Sequence, residues 1–248
     1  MWGQADSIFT SGLLACVYFV LTQREKFAFI ALGLAFAMKL QAIFIAPVLA
    51  LLFLKRLISW RGFLLIPVIY LISLLPSLAI GRPLVSLLTI YVDQANAYGA
   101  LSLNAPNIYV WFPKESYDTV AVPGIIFGAA VIFLFVSLAY CSRAAVTAPL
   151  IIELMTFSVL ISPYVFPRMH ERYFFPADVF SIIFAFYFPR YVLSAIGVSL
   201  ISVFTYLLYL LGNETIPLSI LAIVFLFIIG TIGTHLVETL YGESGTQK

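Results

Sequence analysis

Apolar runs close to 20 residues long, divided by short charged turns, recur along the whole chain, and no strand-period alternation accompanies them. That pattern predicts membrane-crossing α-helices and excludes an outer-membrane barrel, whose strands alternate with a period of two. The first run extends from Ser7 to Leu21 and is followed by Arg24, Glu25 and Lys26. The next, Phe27 to Leu54, is interrupted at Lys39-Leu40-Gln41 and ends at Lys55-Arg56, with Arg61 close behind. Inner loops attract Lys and Arg, so the turns after Leu21 and after Leu54 both belong inside. An even number of crossings must separate them. The run is therefore read as two short helices, about Phe27–Met38 and Ala42–Leu54, with Lys39 and Gln41 at the outer tip. One long tilted helix with a buried lysine is the alternative.

Phe63 to Ile80 then crosses outward, with Pro67 and Pro76 as expected kinks. Gly81 to Pro123 is the one long polar stretch, rich in aromatics, and reads as an outer loop carrying a short interfacial helix over Leu84–Tyr98. Gly124 to Tyr140 returns to Arg143, and Thr147 to Phe166 crosses outward again. Ala177 to Phe188 comes back to Arg190, Leu193 to Leu211 leads out to Asn213-Glu214, and Pro217 to Leu236 returns inside. The expectation is an all-α, polytopic transmembrane bundle of about nine helices, with residues 1–248 forming a single membrane domain. Sidedness assigned from basic residues alone also gathers Asp6, Lys39, Gln41, the long loop and the Arg168–Tyr173 stretch on the outer face.

Composition agrees with this pattern. The chain is 63% hydrophobic and only 10% charged, with a mean hydropathy of +1.09, whereas soluble domains carry about 25% charged residues. The net charge of +2 comes from basic residues scattered at helix flanks, so nucleic acid is not an expected partner. Cys16 and Cys141 are too far apart in the chain to suggest a disulfide framework or a metal site. No basic leader precedes the first apolar run, so the start is not a signal peptide. A chain opening directly on Trp2-Gly3-Gln4-Ala5-Asp6 reads as one that begins part-way into a longer protein.

The densest chemistry is Pro167-Arg168-Met169-His170-Glu171-Arg172-Tyr173, set between two apolar runs. A charge at the centre of a bilayer helix costs roughly 2.5–3.5 kcal/mol on insertion scales, so this stretch belongs at a surface or in a wet cavity. Arg168 and Arg172 suit phosphate oxygens as bidentate forks, with Glu171 or His170 orienting a ligand. Interfacial salt bridges are the plainer reading. The zinc-protease helix motif fails, because Phe174 stands where the second histidine is needed. Asp6 reads either as a helix N-cap or, with Gln4, as a group that binds or activates a hydroxyl. Lys39 and Gln41 read as a solvated polar tip, the lysine suited to phosphate. Asn104, Asn107, Tyr109 and Trp111 offer amides for hydroxyls and aromatic faces for sugar rings, or are ordinary turn residues around Pro106. Glu153 reads as interior-facing with its role open, and His235 and Glu238 as inner-surface residues. Asn213-Glu214-Thr215 matches the glycosylation acceptor pattern.

Trp2-Gly3-Gln4-x-Asp6, Lys39-x-Gln41, Asn104-Ala105-Pro106-Asn107 with Trp111, and Arg168-Met169-His170-Glu171-Arg172-Tyr173, in this order, resemble a family of GT-C class membrane glycosyltransferases. These are the bacterial proteins related to the mannosyltransferase that adds the second mannose of GPI anchors. The resemblance implies a GT-C-like fold and inverting transfer of a hexose, typically mannose, from a polyprenyl-phosphate donor to a lipid or glycan acceptor. The implied location of the site is the outer or lumenal face of the membrane, with a bacterial inner membrane expected. It also implies that Asp6, Gln4, Lys39, Gln41, His170, Glu171 and Arg172 lie around the active site, with Asn104, Asn107, Trp111, Arg168 and Tyr173 as further substrate contacts. One departure matters. Such enzymes have earlier helices whose first outer loop holds an acidic residue, the usual general base, so the base is either upstream of Trp2 or Asp6. A divalent ion (Mg or Mn) could assist at the phosphate, although no carboxylate cluster demands one. The rival classes are a transporter or lipid-linked sugar flippase, and a non-catalytic membrane subunit.

Overall fold

The computed structural model describes residues 5–96, 99–212 and 214–242. The chain divides into two compact units, Met1–Ala100 and Leu101–Lys248, and almost all regular structure in both is α-helical.

The first unit contains α1 (Asp6–Leu21), α2 (Glu25–Met38), α3 (Ala46–Leu54), α4 (Trp60–Phe63), α5 (Leu65–Ala79), α6 (Leu84–Leu88) and α7 (Ile90–Asn96). Small residues let these helices approach closely. A Cβ on Gly12 would stand 2.8 Å from the Ala35 Cβ, and one on Gly33 would stand 2.9 Å from the Ile69 Cβ, so α2 packs tightly against both α1 and α5. The break predicted at Lys39 is present. Lys39 is extended (φ −154°, ψ 137°), and a 3-10 turn over Leu40–Ile45 carries the chain into α3. The second helix therefore starts at Ala46 rather than Ala42. Pro47 explains the delay, because it lacks an N–H and fits best in a helix's first turn, where it stands here. Beyond α3, the Ser59 N–H donates to Glu25 Oε1 at 2.9 Å, which brings the turn before α4 back to the start of α2. Among the described residues the expected interfacial helix over Leu84–Tyr98 is two short ones, α6 and α7, and Tyr98 itself lies outside them. Tyr70 holds α6 by donating to the Leu87 carbonyl at 3.1 Å, and Tyr91 holds α7 by donating to the Phe36 carbonyl.

The second unit contains β1 (Ser102–Leu103), α8 (Tyr117–Cys141), α9 (Ala148–Val165), β2 (Met169–His170), α10 (Phe175–Tyr187), α11 (Val192–Leu211) and α12 (Leu218–Tyr241). Five segments of the described chain are long and apolar enough to cross a membrane: Trp60–Ala79, Lys114–Cys141, Ala148–Val165, Pro189–Leu211 and Leu218–Tyr241. The least apolar of them, Ala148–Val165, is also the most enclosed, 83% of it being buried. Its polar residues Glu153, Thr156, Ser158 and Ser162 are all buried, because protein rather than hydrocarbon surrounds them. Helix α8 starts at Tyr117, seven residues before the predicted Gly124, and Pro123 lies within it. As the seventh residue it lies beyond the first turn, so the bond its N–H would have made to the Thr119 carbonyl is lost.

His235 corrects a second expectation. It is buried rather than at a surface, and Phe184, Phe188 and Tyr191 ring its imidazole at centroid distances of 6.2, 4.8 and 5.0 Å. Its Nδ1 lies 2.6 Å from Oε1 of the fully buried Glu153. The pair ties α12 to α9, and α12 runs on to Tyr241, past the predicted end at Leu236. Removing one partner of such a pair strands the other in a medium of low dielectric. His235→Ala should therefore destabilise the unit by about 3–5 kcal/mol, read as a lowered unfolding midpoint in detergent micelles. The doubly apolar Glu153→Leu/His235→Leu should recover most of that loss.

Candidate functional site

In the first unit the polar residues meet at the Lys39 break. Asp6 is the first residue of α1, where a carboxylate complements the helix dipole. Ala5, not Asp6, is the N-cap, and no side chain caps that end. Asp6 is buried, and its Oδ1 forms an ion pair with Lys39 Nζ across 33 residues of sequence. The lysine also stands 5.5 Å from the Phe9 ring centroid. The extended backbone at Lys39 turns the side chain back towards α1, which an uninterrupted helix would not do. Gln41 is half-buried in the 3-10 turn. Gln4 lies outside the described residues.

In the second unit the remaining candidates are built on a two-strand parallel pair. Ser102 pairs with Met169 and Leu103 with His170, an isolated bridge joins Asn104 to His170, and the Arg168 N–H donates to the Leu101 carbonyl at 2.7 Å. Both strands turn at left-handed residues, Asn104 (φ 56°) and Arg168 (φ 63°). Asparagine tolerates that region, whereas arginine seldom adopts it, so the surrounding structure holds Arg168 there at a cost of order 1–3 kcal/mol.

The 3-10 turn Glu171–Phe174 follows β2. Three residues per turn place Glu171 and Phe174 on the same face, and both are buried, at 2% and 1% exposure. Arg172 and Tyr173 take the other faces and are half-buried. His170 Nδ1 lies 3.9 Å from Glu171 Oε2, and its ring meets Tyr173 edge-on at 5.2 Å. The Arg168 guanidinium lies over the Tyr117 ring at 5.2 Å. Two guanidiniums, an imidazole and a buried carboxylate thus fall within one short irregular segment. Such a set can bind an anion and orient a hydroxyl beside it.

Asn107 and Tyr109 do structural work at the same place. Asn107 is fully buried. Its Oδ1 accepts from the Tyr109 N–H at 3.0 Å, and its Nδ2 donates to the Pro163 and Phe166 carbonyls at 3.4 Å each. The Tyr109 hydroxyl donates to the Val165 carbonyl at 2.9 Å, and burial pushes it up to about 12, so it stays a neutral donor. These are carbonyls that the end of α9 leaves without helical partners. Gly124 makes room for this arrangement, since a Cβ there would stand 2.6 Å from the Tyr109 hydroxyl. Trp111, at the end of the 3-10 turn Ile108–Trp111, is exposed.

Two further polar contacts escaped sequence reading. Glu153–His235 is one, and the other is the Ser202 hydroxyl donating to Asp178 Oδ1 at 2.8 Å between α10 and α11. The only sequence signal for either was a polar residue inside an apolar run. Comparison with known proteins found no matching family model, no matching curated protein and no matching solved structure.

Asn107→Ala removes the side-chain donors from the α9 carbonyls. It should lower stability by about 1–3 kcal/mol and speed amide hydrogen exchange at residues 166–170 ahead of the rest of the unit. Unchanged exchange there would show that Asn107 does not hold the segment.

Proposed function

We propose that the chain is, or belongs to, a membrane glycosyltransferase of the GT-C type. It moves a hexose, mannose foremost, with inversion from a polyprenyl-phosphate donor to a lipid or glycan acceptor. The observation that carries this reading is the Arg168–Tyr173 segment, whose arginines, histidine and buried glutamate converge on a strained turn in a chain with five candidate membrane spans. On this reading the full protein is a bundle of about nine helices in a bacterial inner membrane, its site facing outward.

The chemistry follows from the residues. As the glycosidic bond to the carrier breaks, negative charge grows on the lipid phosphate, and preorganised cations there are worth most. Arg168 and Arg172 supply them. The acceptor hydroxyl must lose its proton as its oxygen attacks the anomeric carbon, and a positioned carboxylate takes it. Asp6, paired with Lys39 through Oδ1, is the candidate base within this chain. The alternative is a base upstream of Trp2. Among the described residues no three His, Cys, Asp or Glu side chains form a candidate metal set, and none of these steps is routed through Mg or Mn.

The assay supplies membranes holding the full native reading frame with a labelled polyprenyl-phosphate hexose, and follows label into extractable product. Arg172→Ala should lower transfer by roughly 10²–10³-fold, with membrane insertion and abundance unchanged. Near-normal turnover in that variant would sink the proposal. Asp6→Asn should cost roughly 10²–10⁴-fold if Asp6 is the base, and retained activity would move the base elsewhere. The buried Glu153–His235 pair favours a second reading, a transporter, since intramembrane ionisable pairs often serve translocation. Appearance of an unchanged solute across the membrane, with no new glycosidic bond, would select it.

A further inference from the structure

The first unit has a cleft of about 740 Å³ where the turn after α1 meets the turn before α4. Arg24, Lys26 and Arg61 line it, together with Glu25, Ser59 and Phe27. Glu25 is the one carboxylate in that lining, and its Oε1 is already engaged by the Ser59 N–H at 2.9 Å. The three cations all reach the surface, so the cleft carries an excess of positive charge. Its walls are fixed. A Cβ on Gly62 would collide with the Phe29 ring, which locks α4 against α2, and Gln23 (φ 58°) turns the chain sharply into Arg24.

Depth identifies the ligand. Arg61 is the second residue of the candidate span Trp60–Ala79, whose 20 residues are about as long as the hydrocarbon core is thick. The cleft is therefore level with lipid headgroups, and Trp60 and Phe27, both exposed, sit where interfacial aromatics belong. Beyond it α5 presents the exposed apolar residues Leu64, Val68, Leu71, Ile72 and Leu75. An anion held by the cations with tails lying along α5 is an amphiphile. A soluble phosphate would have no use for that wall.

We propose that this cleft is a binding site for an anionic phospholipid, its phosphate held by Arg24, Lys26 and Arg61 and its acyl chains laid along α5. Guanidiniums fork phosphate oxygens, and the lysine adds a point charge. Basic pockets between helices on the anionic side of a membrane bind headgroups in this way. The proposal is independent of glycosyl transfer and is tested without it.

The full chain is reconstituted in phosphatidylcholine vesicles containing brominated phosphatidylglycerol or, at equal mole fraction, brominated phosphatidylcholine. Quenching of Trp60 is isolated by difference from Trp60→Phe. Wild type should show quenching enriched for the anionic lipid, weakened roughly fivefold in relative affinity for each cation removed by Arg24→Gln, Lys26→Gln or Arg61→Gln. These side chains are at the surface, and circular dichroism of each variant checks that it folds. Lys55→Gln/Arg56→Gln, outside the cleft, should keep the preference. Three results would overturn the site. Equal quenching by both lipids would mean no selection, and an equal loss in the Lys55/Arg56 variant would mean diffuse surface attraction. Displacement of the preference by inorganic phosphate would mean a soluble-anion site.

Discussion

A chain this apolar can interrupt its helices only where something else satisfies the backbone groups that the interruption frees, because hydrocarbon offers no partner for them. That constraint governs both polar regions. At the end of α9 the carbonyls of Pro163, Val165 and Phe166 receive Asn107 and Tyr109, and the strand pair takes up the next residues. At Lys39 the chain leaves helical geometry for one extended residue, and the side chain swings to Asp6. In each place the break that makes room for polar chemistry is also what the polar groups hold in shape.

The two interruptions differ in what they leave for a ligand. Asn107 is consumed by its own backbone contacts and buried completely, so its amide cannot also serve a sugar. Arg172 and Tyr173 leave the buried face of their turn to Glu171 and Phe174. The left-handed backbone at Arg168 is the telling feature. A non-glycine residue is held there only by the structure around it, and such strain gathers where side-chain direction matters. Nothing in local propensity asks for an arginine at φ 63°.

Much of the helical layout was legible because it rests on long-period signals. Runs of apolar residues and the basic turns between them located α1, α2, α5, α9, α10 and α11 to within about three residues, and the even-crossing argument placed the break at Lys39. Boundaries failed at prolines and at the end of α12, which reaches Tyr241. Pro47 delayed α3, whereas Pro123 sits inside a helix that starts well before it. Their effect depends on how far into a helix each falls, which periodicity does not report. The strand pair was illegible for a different reason. Two-residue strands that are far apart in the chain have no periodicity to read. For the candidate site, sequence picked out the segment, but not its burial pattern or the division of labour between Asn107 and Arg172.

Glu153 shows why an ionisable residue inside an apolar helix is not a functional residue by that fact alone. It lies in the least apolar and most enclosed of the spans, against an imidazole that three aromatic rings hold in place. A charge that finds its partner inside the protein has satisfied the membrane's demand without any ligand. Arg24, Lys26 and Arg61 are the opposite case, three cations at headgroup depth sharing a cleft whose single carboxylate is bonded to a backbone N–H. The same desolvation physics makes the first pair a fastening between helices and leaves the second group in need of an anion. Depth and partner, rather than the presence of charge, separate the two.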